Sequence, residues 1–341
     1  MVDGSCDTAN CTAAATGICI LSKPAPADCP HFHARGVPPP VGVVESEAAS
    51  VGFEPEAEQP QRARTFHLGN ELGSEDAVEV MRARYTHLVA VLGFSNAGKT
   101  CFLSSLYLMA SAGILPSPYQ FAGSLTLQAF EDRARGLRDW PKEGLPDQLV
   151  DHTSLPDKRQ PSLLHLAIRE TSMKRRRFDL LLTDIPGEWT DHLALRATGA
   201  DSFRFLHRAD GIILVVDGNR LRSDDRHAEL QRLRYVAERI ANDVQADRGT
   251  PFVVLVSKAD EIGMQMPAAA EELRNHIHSL GFPATATLCA AFSRTPNVTE
   301  NGTGVFDAIG TILEHPSRRY SRVEGAANDA DIARTFQTFR G

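Results

Sequence analysis

The sequence predicts an α/β protein with a mostly parallel sheet covered by helices on both faces. Two observations predict it. Continuous apolar runs such as Gly211 to Asp217 (GIILVVD) and Phe252 to Val256 (FVVLV) read as strands buried on both sides. Amphipathic helical segments separate them, and that alternation is the pattern of right-handed strand–helix–strand crossovers.

The first strand is Leu88 to Leu92, and it breaks into Gly93-Phe94-Ser95-Asn96-Ala97-Gly98-Lys99-Thr100, which matches G-x-x-x-x-G-K-[ST] at every fixed position. A helix follows from Cys101 to Met109, with Phe102, Leu106 and Met109 on one face. Gly93 and Gly98 let the backbone turn tightly, so that the N–H groups of residues 93 to 101 and the helix N-terminus face one anionic centre. Lys99 adds a point charge for the β- and γ-phosphates, and the Thr100 hydroxyl is a Mg²⁺ ligand.

Upstream, a short helix begins near Ser74, with Glu75 and Asp76 in its first turn. Downstream, about fifty residues from Ala112 to Pro161 precede the next strand, too long an interval for a plain loop. A helix over Ser124 to Trp140 fills part of it, with Leu127, Phe130, Ala134 and Leu137 on its apolar face and Arg133 off that face. Leu163 to Ile168 and Phe178 to Thr183 then form a β-hairpin with a basic tip, Lys174 to Arg177. A solvated hairpin end is the ordinary reading of that tip, and contact with nucleic acid or an anionic membrane the other. Helices over Arg220 to Val244 and Pro267 to Leu280, a strand near Thr285 to Ala290 and a last helix from Val305 to Glu314 complete the core.

Two more strand ends carry chemistry. The run FDLLLTDIPGE from Phe178 to Glu188 places Asp184 where a carboxylate can hold Mg²⁺ through water, and the Gly187 N–H three residues on can reach a γ-phosphate. Ser257-Lys258-Ala259-Asp260 ends the Phe252 strand, where an Asp carboxylate can accept both N1–H and the 2-amino hydrogens of guanine. Lys258 would lay its aliphatic stem over the base. A third element, a threonine just before the Leu163 strand, falls on Thr153 as a candidate Mg²⁺ ligand or a plain loop residue, with Thr126 a poorer choice inside a helix.

Composition bounds the rest. The 341 residues suit one sizeable domain with accessory segments, divided as a Cys-rich segment 1–33, a linker 34–73, a nucleotide-binding domain 74–316 with an insertion at about 113–161, and a polar tail 317–341. A net charge of −7 argues against a general nucleic-acid binder. No run approaches the ~18 apolar residues of a membrane span, so a cytoplasmic protein is expected. Four of six cysteines, Cys6, Cys11, Cys19 and Cys29, cluster in the leader, which reads as a Zn²⁺ site, with His31 or His33 able to replace one sulfur, or as an unstructured leader with incidental cysteines.

The order GFSNAGKT, DIPG, SKAD resembles the translation-factor-related (TRAFAC, Ras-like) class of P-loop GTPases. The leader with ATGICI, FAGSLTLQAFE at 121–131 and DIPGEW at 184–189 are similar to the bacterial double-GTPase group of conflict and defence gene clusters. The resemblance implies a three-layer Ras-like fold with one antiparallel edge strand, GTP and GDP as ligands, Mg²⁺, hydrolysis to GDP and phosphate as a molecular switch, and a second related GTPase or an effector as partner. Catalysis would then rest on Lys99, Gly187 and Glu188; Glu188 stands where Ras-like proteins carry a water-orienting Gln, and is either the group that orients the attacking water or an exposed residue of a mobile switch. The Asn96 position resembles P-loops whose Asn helps hold K⁺ beside the phosphates, while the plain reading has Asn96 stabilising its own turn. Readings of other kinds are an interaction module that binds nucleotide without turnover, and a P-loop ATPase, which Asp260 argues against.

Overall fold

A computed structural model describes residues 4–6, 32–34, 69–138, 161–172, 176–195 and 197–315. The chain divides into two compact units, Met1–Arg64 and Thr65–Gly341. In the first, strands β1 (Gly4–Cys6) and β2 (Phe32–Ala34) pair antiparallel, with Cys6 opposite Phe32 and Ser5 opposite His33. Cys11, Cys19, Cys29 and His31 lie outside the described residues.

The second unit contains a seven-stranded sheet. Its strands are β3 (Thr86–Leu92), β4 (Tyr119–Gly123), β5 (Ser162–Glu170), β6 (Arg177–Asp184), β7 (Gly211–Asp217), β8 (Phe252–Ser257) and β9 (Ala284–Leu288). They lie in the order β4-β5-β6-β3-β7-β8-β9. The block β6-β3-β7-β8-β9 is parallel, and β5 joins β6 as the expected hairpin. The antiparallel part is one strand larger than expected, because β4 adds to the outer side of β5 with a register shift between Phe121 and Gly123.

The helices are α1 (Ser74–Ala83), α2 (Lys99–Ser111), α3 (Leu127–Arg138), α4 (Gly187–Leu195), α5 (Arg226–Asn242), α6 (Ala268–Ser279) and α7 (Val305–Glu314). The side-chain alternation of the strands sorts them into layers. On one face Ala90, Leu92, Leu214 and Val254 pack with α4, α5, α6 and a 3₁₀ segment at Ala197–His207. On the other, Val89, Val91, Leu180 and Val253 pack with α2, α3 and α7. Helix α1 seals a smaller cluster with Ala77 and Val80 over Leu88, Leu163 and Leu181. A three-layer α/β P-loop fold results, and burial of near-continuous apolar strands on both faces drives it.

The expected linker ends earlier than 73. Residues 69–73 belong to the second unit: Leu72 is buried and exchanges both backbone hydrogen bonds with Leu163, at 2.9 and 3.2 Å. Gly69 accepts the Ala129 N–H at 2.9 Å. Buried backbone groups need partners, and an edge of β5 supplies them.

Candidate nucleotide site

All parallel strands run to the same end of the sheet, and the residues of the three strand-end motifs lie there. The turn after β3 is shaped by its glycines. Gly93 has φ of +152°, and a Cβ there would lie 2.5 Å from the Val215 carbonyl oxygen of β7. Asn96 takes the left-handed conformation at φ of 63°, which Asn tolerates better than most residues. Helix α2 then starts at Lys99, with Gly98 at its N-cap in the left-handed conformation and no side-chain cap.

Lys99 folds back over this turn, and its Nζ donates to the carbonyls of Gly93 at 3.0 Å and Phe94 at 3.1 Å. Burial lowers its pKa from the usual lysine range, and the charges of Asp184, Glu188 and Asp191 oppose that shift. A cradle of backbone N–H groups with one buried cation is the chemistry of a phosphate site. Thr100 and Cys101 follow in the first turn of α2, and burial pushes the Cys101 thiol up to about 11, so it acts as a packed side chain.

Asp184 ends β6 with its side chain fully buried, and Arg133 of α3 donates its Nε to Asp184 Oδ2 at 2.7 Å. Burial raises the Asp184 pKa and the Arg133 charge pulls it back, the first effect being the larger. Three residues on, α4 begins at Gly187, pressed against the phosphate turn. A Cβ on Gly187 would fall 2.2 Å from the Ser95 nitrogen. The exposed Glu188 accepts a hydrogen bond from Ser95 Oγ at 3.3 Å, and the Gly93 N–H points to Thr190 Oγ1, also at 3.3 Å. The turn after β3 and the start of α4 are thus one contact surface.

At the end of β8, Ser257 Oγ donates to the Val216 carbonyl at 3.1 Å, and a Cβ on Gly98 would lie 3.4 Å from the Ser257 Cβ. Lys258 adopts φ of 55° and its Nζ pairs with Asp217 Oδ2 at 2.6 Å, which stretches the stem along the strand end. Asp260 accepts the Arg294 N–H at 2.7 Å through Oδ2. The loop after β9 therefore orients the Asp260 carboxylate, and Ala259 donates its N–H to the Cys289 carbonyl at 3.0 Å.

The structure brings Gly93 to Cys101, Asp184, Gly187, Glu188, Ser257, Lys258 and Asp260 to one end of the sheet. Thr153 lies outside the described residues. Thr126 is committed elsewhere: it is fully buried, receives the His165 N–H at 2.9 Å and fixes the start of α3. Lys174 and Arg175 of the hairpin tip also lie outside the described residues. No cluster of three or more His, Cys, Asp or Glu side chains able to hold a metal occurs among the described residues. A Mg²⁺ ion needs less protein than that, because it takes one or two protein oxygens plus substrate phosphates. Thr100 and the buried Asp184 carboxylate beside the phosphate cradle fit this requirement.

Several residues at the site escaped the sequence. Arg133 showed only as a polar residue of an amphipathic helix. Glu71, its second partner, sat in what read as linker. Arg232 of α5 lies over the Phe94 ring at 4.1 Å, bridges to Asp191 of α4 and pairs with Glu229 at 3.3 Å. The Arg294 loop carried no motif that was read.

The fold and these three strand ends define a P-loop nucleotide-binding α/β protein. A family model described as Double-GTPase 2 matches residues 87–313, more than half of the chain, and the chain belongs to that family. No curated protein matches it. Solved structures similar to it include a GTP-binding protein from the hyperthermophilic archaeon Sulfolobus solfataricus in complex with GDP. That match has 14% identity and a TM-score of 0.32, over 70% of this chain and 56% of that one. Two substitution variants of SsGBP match with 14% and 15% identity and TM-scores of 0.33 and 0.30. They cover 70% and 65% of this chain and 60% and 57% of those chains, so it spans less than two thirds of their length. No helix among the described residues is long and apolar enough to cross a membrane.

Proposed function

We propose that this protein binds GTP and GDP and hydrolyses GTP to GDP and phosphate with Mg²⁺, as a molecular switch. The observation that carries the reading is the convergence of the Gly93–Thr100 turn, the buried Asp184 and the backbone-oriented Asp260 at one end of the sheet. The guanine base pairs with Asp260 while the Lys258 stem covers it, and the phosphates take the amides of residues 93 to 101 and the Lys99 charge. Thr100 and Asp184 hold the Mg²⁺, with Thr153 as a third candidate, and the ion supplies neutralisation of phosphate charge. Water forms its bond to the γ-phosphorus as the bond to the bridging oxygen breaks, GDP leaves, and the water proton passes to phosphate. Glu188 orients that water, and Gly187 contacts the γ-phosphate through its N–H and loses that contact after hydrolysis. Asn96 offers a K⁺ position beside the phosphates, and the leader cysteines a Zn²⁺ position.

The setting proposed is cytoplasmic, in a bacterial conflict, defence or signalling complex with a second GTPase or effector. One observation favours a second reading, a nucleotide-holding interaction module without turnover: Glu188 brings a negative charge to within 3.3 Å of Ser95, where a γ-phosphate would be repelled. Single-turnover assays separate the two. Phosphate release from bound GTP that requires Mg²⁺ and is lost in Lys99→Ala supports the GTPase, whereas stable GTP over many hours supports the module.

A further inference from the structure

Helix α3 is held so firmly that the position of Arg133 is set before any ligand arrives. Phe130 and Ala134 are fully buried, and the Phe130 ring stacks on Tyr107 of α2 with centroids 4.9 Å apart and planes at 11°. The Tyr107 hydroxyl also bonds Glu131. At the helix start, Ser124 Oγ donates to the His165 carbonyl at 2.5 Å, and the Leu125 N–H donates to His165 Nδ1 at 3.0 Å. Three directions of the Arg133 guanidinium are then used at once. Nε goes to Asp184, Nη1 to the Ala129 carbonyl at 2.9 Å, and Nη2 to Glu71. Only 12% of the side chain is exposed.

A buried carboxylate with no counter-charge is costly, and removing one partner of a buried pair leaves that cost standing. We propose that Arg133 is a built-in stand-in for the divalent cation: it pairs with Asp184 while the site is empty, competes with the ion for that carboxylate, and keeps Glu71 as its partner once the ion is bound. The inference rests on the nucleotide-binding reading above and assigns a positioning role to a residue outside the three strand-end motifs. Arginine suits it, because the guanidinium stays charged and its planar fork can satisfy Glu71 and Asp184 together. Glu71 makes the exchange possible, since it leaves Arg133 paired after Asp184 turns to the metal. The segment holding Glu71 is anchored to β5 through Leu72, so this acceptor stays in reach.

The test is the Mg²⁺ dependence of nucleotide release. The full chain is loaded with a fluorescent GDP analogue, and its dissociation is followed after excess GDP is added, over a range of free Mg²⁺. In Arg133→Met the half-effective Mg²⁺ concentration falls by roughly tenfold, or about 1.4 kcal/mol in competition removed. In Glu71→Gln it rises several-fold, because Arg133 then has only Asp184 as a charged partner. Nucleotide-free Arg133→Met also melts below wild type, and saturating Mg²⁺ with GDP narrows that gap. An unchanged Mg²⁺ dependence in either variant, or both variants shifting the same way, overturns the inference and leaves Arg133 as a contact of the fold. If Arg133→Met does not fold, the direction of the Glu71→Gln shift decides. If wild type binds no GDP analogue, the nucleotide-binding reading fails first, and this one with it.

Discussion

Lys99 and Gly187 show how little freedom the site leaves to single side chains. The Lys99 ammonium caps two carbonyls of its own turn, so it is in place before a phosphate arrives and gives up little rotamer freedom on binding. Lys99→Ala is expected to weaken GDP binding by at least ~100-fold, or ~3 kcal/mol, as read by displacement of a fluorescent GDP analogue. Gly187→Ala forces a methyl group into the Ser95 backbone, so it should lower stability by about 2 kcal/mol, seen as a lower denaturant midpoint, and slow hydrolysis further. Glycine here was readable from sequence as part of DIPG, but the reason for it, that an added Cβ would fall 2.2 Å from the Ser95 nitrogen, was not.

At the scale of elements, the apolar periodicity located β3, β5, β6, β7, β8 and α7 closely, because each buries a continuous face. Strand β4 was missed because its five residues, Tyr119 to Gly123, sit at an edge, half-buried, with a glycine and a register break. Helix α4 was missed because it opens on Gly187 and buries few apolar side chains, Leu193 foremost. The segment over 220–244 proved to be a 3₁₀ turn at Arg220–Arg222 followed by α5, which ends at Asn242. Helices α4 and α5 are tied to the phosphate turn by Arg232, stacked on Phe94 and bridged to Asp191. Arg232→Ala should loosen α4 and raise hydrogen exchange over residues 187–195, while changing GDP affinity little.

The far end of the hairpin supplies a pH test. Burial alone would raise the Asp179 pKa, but hydrogen bonds from His165 and Arg177 and the charges of Arg177 and Arg84 outweigh it and hold the carboxyl well below the usual range. A carboxyl depressed in the folded state stabilises above its unfolded pKa near ~3.9 and loses that contribution as pH falls through and below that value. Asp179→Asn should therefore cost about 2 kcal/mol at pH 7, with the difference from wild type shrinking below about pH 4 in denaturant titrations.

For the whole molecule, the two compact units divide what could be read. The Thr65–Gly341 unit was legible as a class because its motifs sit at strand ends, where order and spacing carry meaning. The charge contacts that join those ends, Arg133 to Asp184 and Arg294 to Asp260, were not, since they join residues 51 and 34 positions apart and no local pattern records them. In the Met1–Arg64 unit, zinc binding predicts a stoichiometry near one per chain in protein purified without chelator, lost when Cys6 and Cys11 become Ser; elemental analysis reads it directly.

The claim on which the rest depends is guanine selection by Asp260, and competition of GTP, GDP and ATP against a fluorescent GDP analogue tests it most directly. With Mg²⁺ present, GTP and GDP should displace the probe at least ~100-fold better than ATP, a difference of ~3 kcal/mol, and Asp260→Ala should abolish that preference. Equal competition by ATP in the wild type would contradict the account.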